Sequence, residues 1–97
     1  MSQEIDDTIK RIQAHKGVMG IIIINNDGIP IKSTMDNATS VHYACHIHSL
    51  ATKARAVVKE IDSTNDLRFL RVRSKKHEIL VAPEPEYCMI VIQKDAN

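Results

Sequence analysis

Four residues close together in the chain carry side chains that hold metals or attack electrophiles: His42, Cys45, His46 and His48. On a helix turning ~100° per residue, His42 and His46 lie about 40° apart and can share one ion. His48 falls about 160° from His46 and Cys45 about 100°, so neither completes that site. The set therefore reads as the polar flanks of a packed helix, with an adventitious two-histidine site as the alternative. A cysteine nucleophile, Cys45 or Cys88, needs a histidine and an orienting acid beside it in space. His46 adjoins Cys45 in sequence, but neighbours on a helix point apart. Neither a resident metal, nor a cofactor, nor an enzymatic activity is expected.

Lys32-Ser33-Thr34 looks like the end of a phosphate-binding loop. Such a loop needs glycines five residues apart, the second directly before the lysine, and it leads into a helix. Here Asn26 and Ile31 occupy those places, and Asp27-Gly28 leads into a strand. Bulky Ile31 keeps the backbone N–H groups from wrapping an anion. The stretch turns a corner.

Arg68, Arg71, Arg73, Lys75 and Lys76 put five positive charges in nine residues. Only Phe69 interleaves with them, and the rest of the chain offsets them to a net charge of +1, so nucleic acid is not expected. A charged edge strand, or a surface for a protein partner, fits better.

The elements that position these residues follow from periodicity. The chain has the length of one domain, residues 1–97, and fourteen isoleucines with only 3% aromatics make its core aliphatic. Ile5, Ile9 and Ile12 recur at helical spacing before Lys16-Gly17. Ile21 to Ile24 form a strand apolar on both faces, and Asn26-Asp27-Gly28 a hairpin turn into Ile29–Lys32, whose Pro30 suggests an edge. Residues 39–62 carry one apolar stripe about 140° wide: Tyr43, Ala44, Ile47, Leu50, Ala51, Ala54, Val57, Val58 and Ile61. Asp36, Asn37 or Thr39 caps its start. Leu67–Arg73, Glu78–Ala82 and Tyr87–Ile92 complete the strands, separated by Ser74-Lys75-Lys76 and by Pro83-Glu84-Pro85-Glu86. The order α-β-β-α-β-β-β with short connections implies an α/β (α+β) fold on an antiparallel sheet. The longest apolar run is far short of the ~20 residues that span a bilayer, and the acidic start Met1–Asp7 lacks the layout of a signal peptide. Two cysteines without a CxxC pattern then read as reduced thiols, and a cytosolic protein is expected.

The block Gly20–Asn25 through Gly28–Asn37 resembles the roadblock-type dynein light chains. So do Leu70–Lys76, Glu78–Pro83 and Ile90–Gln93, and the similarity runs in one register from Thr8 to Gln93. The resemblance implies a five-stranded antiparallel sheet with helices on both faces, a roadblock/profilin-like sandwich. It also implies a non-catalytic homodimer, or heterodimer with a paralogue, that binds the intermediate chain of cytoplasmic or axonemal dynein. A roadblock module acting on a small GTPase, as in related bacterial and lysosomal proteins, is the alternative. His42, Cys45, His46 and Cys88 depart from the family pattern.

Two surfaces are expected on this basis. The dimer interface would use Ala44, His48, Ala51, Arg55 and Val58 of the long helix with Leu67, Phe69 and Arg71 of the edge strand, small residues allowing close approach. The first helix closes about half of its sheet face, so Ile5, Ile9 and Ile12 would border an apolar trough that receives a partner helix.

Overall fold

The computed structural model describes residues 2–94, the side chain of Ser2 apart. The elements are α1 (Ser2–Gln13), β1 (Val18–Ile24), β2 (Pro30–Ser33), α2 (Asn37–Ile61), β3 (Leu70–Arg73), β4 (His77–Pro83) and β5 (Cys88–Lys94). The strands form one antiparallel sheet in the order β2-β1-β5-β4-β3. This is the expected mixed α/β architecture.

The isoleucine run explains why β1 sits inside. All four side chains, Ile21 to Ile24, are buried, alternating between the two faces. Ile22 and Ile24 join Ile90, Ile92, Val81, Ala44 and Ile47 beneath α2. Ile21, Ile23 and Val91 lie beneath Ile5, Ile9 and Ile12 of α1. Each fully buried isoleucine contributes about 2 kcal/mol of hydrophobic stabilisation. A strand burying both faces must have a layer on each side, and two helices supply them.

Local chemistry fixes the turns. Gly28 has φ 82°, and the Asn25 side chain accepts from the N–H groups of Asp27 and Ile29 at 2.9 and 3.0 Å. Asp36 caps α2: its carboxylate accepts from the Thr39 N–H at 2.7 Å, and that bond holds the carboxyl below its usual range. Buried Ser40 donates to the Asp36 carbonyl at 2.8 Å and shares a 2.6 Å hydrogen bond with Ser33 of β2. Gly20 leaves room for Met35, whose side chain fills the space that a β-carbon would take.

Several boundaries differ from the sequence reading: β1 starts earlier, at Val18, and β5 runs on to Lys94. The strand expected from Leu67 begins only at Leu70. The Asn65 side chain accepts from the Asp66 N–H and the Asp66 side chain from the Leu67 N–H, both at 2.8 Å. Arg55 binds the same Asp66 carboxylate at 3.0 Å. These local bonds occupy the backbone before Leu67, and the alternation of Leu67 and Phe69 carries no information about where the ladder begins. Pro83 closes β4 rather than opening the following turn.

Candidate partner-binding surface

The chemically suggestive residues of α2 do not converge. His42 and His46 are neighbours, with ring centroids 4.8 Å apart in an edge-to-face arrangement. Together they offer two nitrogens to a divalent ion. Among the described residues no group of three or more His, Cys, Asp or Glu is placed to hold a metal. His48 faces the other way: its Nε2 lies 3.2 Å from the Asn26 carbonyl, and its ring covers Gly28. Cys45 is exposed and Cys88 half-buried. Burial pushes the Cys88 thiol up to about 11, against the opposing pull of Arg55, so it carries little thiolate at neutral pH. Ile24, His48, Ala51, Leu67, Tyr87 and Cys88 line part of a cleft of about 220 Å³. That is below the ~300 Å³ at which small-molecule sites begin.

The exposed apolar surface is better organised. Leu50, Val57 and Ile61 fall within about 40° of one another on α2. Val57 is 57% exposed and Ile61 81%. Phe69, in the extended segment before β3, is also half-exposed. β3 itself is an edge strand: among the described residues it pairs with β4, and no strand of the sheet lies on its other side.

The residues expected at a dimer interface occupy varied places. Ala44 is 1% exposed, packed inside the protomer's own core, which leaves it no surface to offer a partner. Ala51 packs against that core, and Val58 is half-buried. His48 is held by the β1–β2 turn, Arg55 by Asp66, and Leu67 lines the cleft. Phe69 and Arg71 stand at the open edge. The sheet thus takes the small-residue flank of α2, and the flank that remains is the one with Leu50, Val57 and Ile61. The stripe's width of about 140° does not by itself say which of its flanks the sheet takes.

On the opposite face, Ile5, Ile9 and Ile12 are partly buried against Ile21, Ile23 and Val91. They serve the protomer's core first. The uncovered part of that face is less apolar than expected. Arg71 and Arg73 of β3 share it with Glu78 of β4 and Gln93 of β5. Arg71 Nε and Nη2 donate to Glu78 at 2.9 and 3.1 Å, and Gln93 donates to the same carboxylate at 2.7 Å. Those bonds, Arg71's first and Gln93's second, hold the Glu78 carboxyl below its usual range. Periodicity puts Arg71 in an edge strand but does not single out Glu78. The signal is a period of two, which sets alternate charges of two paired strands on one face.

A family model described as the Roadblock/LC7 domain matches residues 4–94. The chain belongs to the Roadblock/LC7 family. Solved structures share its fold at low identity. A Roadblock/LC7 domain from Streptomyces avermitilis superposes with a TM-score of 0.81 at 16% identity, covering 88% of this chain and 72% of that one. MglB in a tetrameric arrangement gives 0.80 at 9%, covering 96% and 72%. Gliding protein MglB from Thermus thermophilus gives 0.78 at 8%, covering 93% and 70%. At these identities the likeness speaks for the Roadblock/LC7 fold alone.

Proposed function

We propose that this Roadblock/LC7 chain is a non-catalytic dimeric adaptor. The observation that carries the reading is the pairing of an open strand edge with an uncovered apolar flank: β3 beside Phe69, and Leu50, Val57 and Ile61 on α2. A twofold mate covers both at once. Joining β3 to its own copy satisfies the outer N–H and C=O groups, and the two α2 helices bury their exposed flanks together. An axis perpendicular to the sheet keeps both α1 helices on one side, with a trough between them.

In that trough we place a helical segment of a dynein intermediate chain, which makes the protein a light-chain subunit of a cytoplasmic or axonemal motor. It would support motor assembly and cargo attachment in microtubule-based transport. The residues Gly28–Asn37, Leu70–Lys76 and Glu78–Pro83 support this partner through their resemblance to the dynein light chains. A second reading has the same dimer bind or regulate a small GTPase, and the fold shared with the MglB structures favours it. Pull-down with a tagged chain from a cytosolic extract, read by mass spectrometry, separates the two. Recovery of intermediate chain supports the first reading. Capture of a GTPase that depends on its bound nucleotide supports the second and overturns the first.

A further inference from the structure

Outside the surfaces described above, the side chains best suited to a ligand are His42 and His46. Both are exposed, one turn apart on α2, with ring centroids 4.8 Å from each other. Among the described residues neither ring has a hydrogen-bond or ion-pair partner, and each interacts with the other. His48 differs, its Nε2 lying against the Asn26 carbonyl. The helix carries no lysine or arginine from Asn37 to Thr52, so no cation of α2 stands within a turn of the pair to repel an ion.

The spacing suits a chelate. An ion ~2.1 Å from an imidazole nitrogen lies roughly 3.2 Å from the centre of that ring. Centroids 4.8 Å apart then subtend about 95–100° at a shared ion, between the right angle of square-planar coordination and the ~109° of a tetrahedron. The rings meet edge to face, and rotation about χ2, which is broad for histidine, turns one nitrogen of each toward a common point. Imidazole suits copper, nickel and zinc, whereas magnesium and calcium take oxygen ligands.

We propose that His42 and His46 form a two-imidazole chelate on α2 for a late divalent transition metal: copper(II), nickel(II) or zinc(II). Water takes the remaining coordination positions. Two protein ligands fall short of the three or four of a structural or catalytic centre, and among the described residues no third joins them. Cys45 stands about 100° around the helix from His46. The ion is therefore exchangeable, and while bound it staples consecutive turns of α2. Both ligands come from one helix of one chain, so the site does not rest on the dimer reading.

Nickel(II) is titrated by calorimetry into the full chain, free of any histidine tag, in a buffer that does not bind the metal. One ion per chain should bind in the micromolar range, and magnesium should not bind. His42→Ala and His46→Ala should each lose about tenfold or more in affinity, because a lone imidazole cannot chelate. Both side chains are exposed, so circular dichroism of these variants should match the wild type. His48→Ala and Cys45→Ser should keep the wild-type affinity. No binding at about 1 mM nickel, or magnesium binding as well as nickel, overturns the proposal. So does wild-type affinity in His42→Ala or His46→Ala, or a loss in His48→Ala or Cys45→Ser as large as theirs.

Discussion

Arg71 clamps the buried carboxylate of Glu78 across the β3–β4 hairpin, with N–O distances of 2.9 and 3.1 Å. The pair joins the open edge of the sheet to its interior and leaves the arginine's outer side exposed. Its pH dependence follows from the sign of the shift. The Glu78 carboxyl is held below its ordinary 4.5, so the folded state favours the ionised form. That contribution is fully present above 4.5 and is lost as pH falls through the lowered value. Glu78→Gln should melt lower than the wild type at neutral pH, and the gap should close as the acid limb is descended. A gap that stays constant with pH would contradict the role of the charge.

The β1–β2 turn depends on the absence of a side chain. A β-carbon at Gly28 would meet the His48 ring at 2.8 Å, on a backbone with φ 82°. Gly28→Ala should cost about 2 kcal/mol or more, from backbone strain and from this clash. At Gly17, with φ 92° and nothing within 4 Å, the same change should cost about 1 kcal/mol. In a His48→Ala background the Gly28 change should cost less, while the Gly17 change stays the same. Urea unfolding of these variants checks this, and equal Gly28 costs in both backgrounds would show that His48 plays no part.

Burial separates residues of one type. Ile22→Ala removes a side chain with no exposure and should cost about 2–5 kcal/mol. Ile31→Ala, on the half-exposed edge strand β2, should cost less than about 1 kcal/mol. Denaturant midpoints give both values, and similar losses would mean that β2 is covered in solution.

The two cysteines should react at different rates. Cys45 is exposed, whereas burial raises the Cys88 thiol to about 11. Iodoacetamide at neutral pH should give a first adduct at Cys45, with Cys88 following only as pH climbs toward about 11. Peptide mapping reads the order, and prior modification of Cys88 would contradict its burial.

Much of this was legible in the sequence, for physical reasons. Ile21 to Ile24 announce a strand buried on both faces because four consecutive β-branched residues, set between Gly20 and the Asn26-Asp27-Gly28 turn, are too short a run for a helix and suit a covered strand. Asp36 and Asn26-Asp27-Gly28 announce a cap and a turn because their side chains and backbone freedom suit those positions. The start of β3 was not legible, since the side chains of Asn65 and Asp66 compete with the ladder for the Leu67 backbone. The exposed flank of α2 was hidden for a different reason. Periodicity gives the width of an apolar stripe but not which part the sheet takes, and here the sheet takes Ala44 and Ala51. The Arg71–Glu78–Gln93 group needed the strand register, which sets Glu78 beside Gln93 and one step along from the Arg71–Leu80 pair.

Sedimentation equilibrium of the purified chain at micromolar concentration decides whether β3 and α2 join their own copies about a twofold. The expected mass is about twice 10.9 kDa for the wild type. For Val57→Glu/Ile61→Glu it is 10.9 kDa, with helical content unchanged because both side chains are exposed in the protomer. A wild-type mass of 10.9 kDa, or a double variant that remains a dimer, would contradict the twofold joining.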